Sequence, residues 1–265
     1  MLSVCATPIG NLDDVTLRVL AELRAADVVL CEDTRHTRGL LERHGIKARL
    51  LSYHEHNEAA RTAELLPRLE AGERIALVSD AGLPGISDPG GRLVRAALDA
   101  GVPVTVLPGA SAVETALVAS GLVGERYQFL GFLPRGERAL RALWEQLFMW
   151  PWPAVAFESP QRLPATLRSL ASTDPERPVA VCRELTKRFE EVARGTAAEL
   201  AARFAEPPKG ELVLVLGPGR READEDAALA AVTELVEAGV PRKRAAELVS
   251  RLTGVARNRL YRGSL

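Results

Sequence analysis

A chain of 265 residues, 47% hydrophobic and 26% charged, is long enough for one large core or two modest ones, and two domains are expected. A formal charge of −1 excludes a globally basic nucleic-acid binder, so any basic footprint must be local. No apolar run approaches the ~18 residues of a membrane span, and Met1-Leu2-Ser3-Val4 enters a strand directly with no secretory pattern. Cys5, Cys31 and Cys182 are odd in number and scattered without a Cys-x-x-Cys. They read as buried small hydrophobes in a reducing compartment, so a cytoplasmic protein is expected.

Leu2 to Ala6 is a first apolar strand, followed by the turn-rich Thr7-Pro8-Ile9-Gly10-Asn11 and a helix through Leu17, Leu20 and Leu23, capped by Asp14 or Thr16. Val28 to Cys31 is a second strand and leads to a helix through Leu40 and Leu41, closed by Gly45. A third strand, Ala48 to Tyr53, precedes His54-Glu55-His56-Asn57-Glu58 and a helix reaching Ala71-Gly72. Pro67 inside that helix implies a kink or a boundary one turn away. Arg74 to Val78 is the fourth strand, with the short apolar character of a parallel-sheet core. It leaves through Ser79-Asp80-Ala81-Gly82-Leu83-Pro84-Gly85-Ile86-Ser87-Asp88-Pro89-Gly90, longer than the usual two to six or so residues of a βα connection, and reads as a ligand loop. A helix from Arg92, a fifth strand Val102 to Leu107, the turn Pro108-Gly109-Ala110-Ser111-Ala112 and a helix to Gly121 complete five βα repeats, hence a parallel sheet with right-handed crossovers.

Gly121 to Gly124 breaks the rhythm and sets boundaries at 1–121, 122–220 and 221–265. The second segment reads as strand Tyr127–Phe132, helix Glu137–Leu147, strand Ala154–Phe157, helix Arg162–Leu170, strands Val179–Arg183 and Glu190–Arg194, helix Thr196–Phe204 and strand Leu212–Leu216. Shorter crossovers and an expected hairpin predict a mixed sheet. Residues 222–237 then carry six acids and no base, whereas residues 238–265 carry seven bases and one acid. Three short helices with a turn at Thr253-Gly254 suggest a helix-turn-helix-like module, and the segregation of charge suits nucleic-acid contact rather than a solvated tail.

Chemical motifs narrow the function by exclusion. Neither a Gly-x-Gly-x-x-Gly nor a Gly-x-x-x-x-Gly-Lys occurs, so a dinucleotide fingerprint and a P-loop are unsupported. Glu32 lies at the strand end where a ribose-binding acid would stand, but without the glycines the signal is weak. His54 and His56 with Glu55 and Glu58 could form half a metal site, although no third ligand is placed by spacing and polar loop contacts explain them better; no metal is expected. No Gly-x-Ser-x-Gly elbow is present. What remains are turn-rich loops after strands one, four and five, which lie on one edge of a parallel sheet and can converge. Their glycines admit a ligand close to the backbone, and Asp80 can accept hydrogen bonds from an amine or ribose.

Thr7-Pro-Ile-Gly-Asn-Leu-Asp-Asp, Cys31-Glu-Asp-Thr-Arg-His-Thr, Ser52-Tyr-His-Glu-His-Asn, the Val78–Gly90 stretch and Leu107-Pro-Gly-Ala-Ser-Ala carry a resemblance. Together with Phe157-Glu-Ser-Pro-Gln-Arg, Cys182-Arg-Glu-Leu-Thr-Lys-Arg-Phe-Glu-Glu and Lys209-Gly-Glu-Leu-Val, they make the chain similar to the tetrapyrrole-methylase-like (class III) S-adenosylmethionine-dependent methyltransferases, in the branch acting on ribosomal RNA. The likeness runs nearly the whole length. Leu83 and Gly85 stand where Thr and Leu are expected, and Gln161 where His is common.

The resemblance implies two α/β domains of tetrapyrrole-methylase type with S-adenosylmethionine folded into the cleft between them, and a C-terminal helical RNA-contact module. It implies 2′-O-methylation of a cytidine ribose in 16S rRNA, at the decoding centre of the small ribosomal subunit, by a family that is typically homodimeric. Carried over by position, Pro8, Ile9, Gly10, Asp80, Gly82, Leu83, Ser111 and Ala112 would line one wall of the cofactor site. Phe157, Glu158, Glu184 and Leu212 would line the other. Lys187 with a depressed pKa is the expected base, oriented by Glu184, against the alternative that both make structural or RNA-phosphate contacts. Arg35, Arg242, Lys243, Arg244, Arg257 and Arg259 are the expected RNA contacts. The competing readings are a methylase of tetrapyrrole precursors and a non-catalytic rRNA-binding assembly factor.

Overall fold

The computed structural model describes residues 1–219, 225–253 and 255–264. Its first sheet joins β1 (Leu2–Cys5), β2 (Val28–Cys31), β3 (Leu50–Ser52), β4 (Ile75–Leu77) and β5 (Val104–Leu107), all parallel, in the order β3-β2-β4-β1-β5. Alternation along the strands sorts the side chains. Leu2, Val4, Val28, Leu30, Ile75 and Leu77 join one apolar cluster; Cys5, Val29, Cys31, Ala76 and Val78 join another. Leu65, Leu69, Leu93 and Ala97, from α3 (Glu58–Glu70) and α4 (Gly91–Asp99), complete the first. Val19, Leu20, Leu23 and Leu41, from α1 (Leu17–Ala25) and α2 (Thr34–Arg43), complete the second. Both faces are therefore covered, which explains why these strands are continuously apolar.

Local signals set most of the ends. Thr16 caps α1 by accepting from the Val19 N–H, whereas Asp14 lies in a preceding 3-10 turn. Asp33 caps α2 and accepts from the Arg35 N–H. The helix over residues 58–70 runs through Pro67 without ending there. Pro67 sits in the last turn, and its carbonyl accepts from the Ala71 N–H at 2.9 Å.

The second sheet comprises β6 (Gln128–Phe132), β7 (Ala154–Glu158), β8 (Pro178–Arg183), β9 (Glu191–Thr196) and β10 (Leu212–Leu216) in the order β6-β7-β10-β8-β9. Only β6 and β7 are parallel; β10 runs antiparallel to both its neighbours, and β8–β9 is the expected hairpin. One face packs against α6 (Glu137–Phe148), α7 (Leu163–Thr173) and α8 (Ala197–Arg203) around Trp144, Leu163, Leu167 and Leu214. The other face receives α5 (Ala112–Ser120): Val113, Ala116 and Leu117 pack with Val155, Ala180, Cys182, Val213 and Val215. That helix follows the first sheet in sequence yet closes the core of the second, locking the two sheets together.

Beyond it, α9 (Glu225–Glu237), α10 (Arg242–Thr253) and α11 (Arg257–Gly263) surround their own small core of Val232, Ala245, Ala246, Val249, Val255 and Leu260. Gly254, placed in the turn of that module by its sequence, and residues 220–224, which include the start of the acidic run, lie outside the described residues.

Candidate active site

The strand order explains why three loops separated in sequence converge: β4, β1 and β5 are neighbours, so the segments that follow them leave the same edge side by side. The loop after β4 is stitched to the one after β1. Thr7 and Gly82 exchange backbone hydrogen bonds at 2.8 and 3.1 Å, and the Thr7 hydroxyl donates to the Ser79 carbonyl at 3.0 Å. Its far end is held by Glu58, whose carboxylate accepts from the Gly90 and Arg92 N–H groups at the start of α4 and from the Tyr53 hydroxyl. The His54–Glu58 motif thus anchors a loop: Asn57 accepts from the His54 N–H, and its side-chain amide contacts the His54 ring. Among the described residues no group of three potential metal ligands forms.

Between this edge and the second sheet lies a cavity of about 570 Å³. Ile9, Asp80, Gly82, Leu83, Asp88, Ser111 and Ala112 line it from the first side; Phe157, Glu158, Cys182, Leu185, Glu211 and Leu212 line it from the other. Nine of the twelve residues expected at the cofactor site therefore share one cleft. Pro8, Gly10 and Glu184 do not. Pro8 lines a separate small hollow with His36 and Thr37. Gly10 lies against the β8–β9 loop, where an added Cβ would stand 2.6 Å from Lys187 Cγ and Thr186 Oγ1 and 2.8 Å from the Leu185 carbonyl oxygen. Its missing side chain permits contact between the two halves rather than approach of a ligand.

The first side of the cleft carries Asp80 and Asp88; the second sets Phe157, Leu185 and Leu212 beside Glu158 and Glu211. Asp80 accepts from the Asp33 N–H at 3.2 Å. Burial, then the Glu32 and Asp80 carboxylates, push Asp88 up to about 6, with the Ser79 hydroxyl opposing. Glu32 is raised in turn by burial and by Asp80. Ser111 occupies the N-cap position of α5, but its hydroxyl donates to Glu114 instead of capping. That bond and one from Tyr127 hold the Glu114 carboxyl below its usual range. Phe157 meets Phe129 edge-on at 5.1 Å and Phe132 at 5.4 Å, giving the second wall an aromatic surface. Glu158 is buried with its carboxylate engaged by the Thr166 hydroxyl at 2.6 Å, the Ser159 N–H at 2.8 Å and Arg162 at 3.2 Å, so it is a structural anchor of that wall. Burial pushes the Cys182 thiol up to about 11, which leaves it an inert small apolar group.

The expected depressed pKa of Lys187 is overturned. Burial alone would lower it, but hydrogen bonds to Glu211 and Glu184, at 2.8 and 2.9 Å, outweigh that and hold the ammonium above its ordinary value. Glu184 does orient Lys187, and is itself lowered by it; its carboxylate also accepts from the Glu211 N–H. Glu184 stands behind Glu211 and not on the cleft surface. Arg35 is exposed and forks onto Asp33, holding that carboxyl well below its usual range. On the helical module, Lys243, Arg244, Arg257 and Arg259 are exposed and Arg242 half-buried, with Arg244 paired to Glu247 at 3.1 Å. Asp88 is the residue whose role the sequence left undeveloped; its position at the end of the glycine-rich loop was the available signal.

A parallel α/β sheet facing a mixed sheet across an acid-rich cleft is a known class of architecture. The chain superposes on the crystal structure of diphthine synthase (TM-score 0.62, 16% identity, 82% of this chain and 89% of that one). It also superposes on uroporphyrin-III C-methyltransferase from Thermus thermophilus complexed with S-adenyl homocysteine (TM-score 0.57, 21% identity, 82% and 96%). These likenesses establish the fold as that of the tetrapyrrole methylases. The sequence profile of the Tetrapyrrole (Corrin/Porphyrin) Methylases matches residues 1–201. Proteins named ribosomal RNA small subunit methyltransferase I are similar over nearly the full length. That of Mesorhizobium japonicum is 45% identical, covering 98% of this chain and 90% of the relative. That of Micromonospora olivasterospora is 47% identical (98% and 85%), and that of Escherichia coli O157:H7 41% (100% and 94%). The chain belongs to the tetrapyrrole methylase family, and within it to the ribosomal RNA small subunit methyltransferase I group.

Proposed function

We propose that this protein transfers a methyl group from S-adenosylmethionine to the ribose 2′-hydroxyl of a cytidine in 16S rRNA, at the decoding centre of the small ribosomal subunit. The observation that carries the reading is similarity at 41% identity or more to ribosomal RNA small subunit methyltransferase I proteins across 98–100% of the chain, helical module included. Residues 1–121 and 122–220 supply the two walls of the cleft, and residues 221–265 contact RNA through Lys243, Arg244, Arg257 and Arg259. A homodimer in the cytoplasm completes the assignment. Apolar side chains left exposed along β5, α5 and the following link, Val106, Val118 and Val123, support self-association. No helix among the described residues is long and apolar enough to cross a membrane.

The cleft fits the cofactor by size and charge. A cavity of about 570 Å³ is within the range of small-molecule sites. The Asp80 carboxylate suits a ligand bearing a sulfonium and an ammonium, and Phe157, Leu185 and Leu212 suit an adenine face. When bound, S-adenosylmethionine supplies an electrophilic methyl group. A ribose hydroxyl attacks it effectively only as its proton leaves. With Lys187 held as an ammonium, the group on the cleft surface suited to accept that proton is the Asp88 carboxylate, ionised above about pH 6. Lys187 instead bridges Glu184 and Glu211 and fixes the edge of the cleft on which Leu185 and Glu211 stand. The test is mass spectrometry of 16S rRNA nucleosides after incubating purified protein and cofactor with small subunits lacking the modification. Appearance of 2′-O-methylcytidine supports the assignment; methylation of another nucleoside, or none, refutes it.

A further inference from the structure

The β8–β9 connection is unusually constrained for a hairpin loop. Glu184 and Thr186 both adopt left-handed backbone, at φ 52° and 65°, and Thr186 is β-branched, a residue type that rarely does so. Three further contacts over-determine the shape. The Thr186 N–H donates to Glu190 Oε2 at 2.5 Å, the Lys187 N–H to the Glu184 carbonyl at 3.0 Å, and the Lys187 ammonium bridges Glu184 and Glu211. The Thr186 hydroxyl also accepts from the Asn11 N–H at 2.9 Å, pinning the loop to the opposite half of the molecule. Backbone of this kind clusters at active sites, ligand clamps and switch regions.

What the loop presents is a pair of side chains with no role in packing. Phe189 is 67% exposed, and the Arg188 guanidinium lies 5.5 Å from its ring centre. The neighbouring acids are already engaged: Glu190 by the Thr186 N–H, Glu211 by Lys187, and Asp13 by Arg43 at 3.0 Å. Among the described residues Arg188 has no carboxylate partner. Beside the pair opens a polar hollow of about 520 Å³ lined by Asn11, Asp13, Arg43, Lys187 and Arg188, next to the cleft across the step from Leu185 to Thr186. Asp13 is paired with Arg43, which leaves Arg188 as the hollow's cation without a carboxylate partner among the described residues. An exposed aromatic ring backed by an arginine on a rigid loop is the chemistry that stacks an unpaired base, and a polar hollow with cations at its rim suits the adjoining phosphate.

We propose that Arg188 and Phe189 form a stacking platform for a single-stranded RNA nucleotide next to the one entering the cleft, with the hollow beside Asn11 and Lys187 receiving the connecting phosphodiester. This rests on the RNA-methylation reading and adds to the helical module a second, cleft-proximal RNA contact. The platform fixes strand register, placing one ribose over the cleft while its neighbour is held outside.

The test compares wild type with Phe189→Ala, Phe189→Trp and Arg188→Gln, measuring affinity for unmodified small subunits and, separately, for S-adenosylhomocysteine. Phe189→Ala is expected to weaken RNA affinity about tenfold, in keeping with loss of one stacked base, and Phe189→Trp to retain it. Arg188→Gln should reduce the slope of log affinity against log salt by about 0.7–1. Cofactor affinity should stay within about twofold in all three, since neither residue lines the cleft. RNA affinity within twofold of wild type for Phe189→Ala, in a protein whose wild type methylates RNA, would overturn the platform alone. Equal loss for Phe189→Trp and Phe189→Ala would also overturn it, by showing that no ring is needed. A wild type that binds cofactor but not RNA would remove the methylation reading, and the platform with it.

Discussion

Replacing Asp88 with Asn separates stability from catalysis, because the same desolvation that suits this carboxylate to accept a proton destabilises the fold. Its folded pKa of about 6 stands above the ordinary aspartate value of 3.8. Burial is the main cause, with repulsion from Glu32 and Asp80 adding to it. A raised carboxylate pKa means that the full stability is present below the unfolded pKa and is lost as pH rises through the folded one. Taken whole, the difference amounts to about 3 kcal/mol at 1.36 kcal/mol per unit. Asp88 is only about half-buried, so screening by solvent reduces this to about 1–1.5 kcal/mol. At pH 8, Asp88→Asn should therefore raise Tm by about 2–5 °C, and at pH 4 the two proteins should melt together. Methyl transfer should fall by about 10²–10⁴-fold at pH 8 while S-adenosylhomocysteine remains bound. Thermal melts across pH 4–8 and single-turnover methylation provide the readouts. A stability difference independent of pH would refute the electrostatic reasoning, and unchanged turnover would refute the proton-acceptor role.

Three other perturbations probe the rest of the account. Lys187→Met should lower Tm by about 2–4 °C at pH 8, because the raised folded pKa makes the clamp's contribution fully present below the unfolded lysine value; that corresponds to about 1 kcal/mol for two partly exposed ion pairs. Measurable turnover should persist, and abolished turnover with normal RNA and cofactor binding would restore the lysine as base. Gly10→Ala forces a Cβ to within 2.8 Å of the Leu185 carbonyl, an overpacking expected to cost about 1–3 kcal/mol. Because Leu185 lines the cleft, calorimetry should show weaker S-adenosylhomocysteine binding together with a lower Tm; unchanged values in both would contradict the contact. Deleting residues 238–265 should weaken small-subunit binding and flatten its salt dependence while leaving cofactor affinity intact, and undiminished methylation would show that the module is dispensable.

The sequence carried the strands of the first sheet to within a few residues, since apolar runs bounded by Gly, Pro and caps are local signals. Val28–Cys31 and Leu212–Leu216 match their predicted ends. It also marked the loops after β1, β4 and β5 as unusual, but only the strand order makes them neighbours, and that order is a property of the whole chain. The departures from expectation share this origin. Gly10 looked like a ligand-approach glycine because its partner, the loop at Leu185–Lys187, is about 175 residues distant along the chain. Lys187 was expected to have a depressed pKa because nothing local reveals Glu211 on its other side. Pro67 implied a kink or a boundary one turn away, yet the helix continues through it to Glu70. Charge segregation pointed to the helical module, whereas the exposed Arg188–Phe189 pair needed coordinates to distinguish it from ordinary hairpin residues.

A crystal structure with S-adenosylhomocysteine bears most directly on the cofactor cleft. The account places the ligand between the Asp80–Asp88 loop and the wall of Phe157 and Leu212, with Asp88 left facing the open side where RNA enters. Density lying instead in the hollow beside Pro8 and His36, with the space between the two sheets empty, would contradict it.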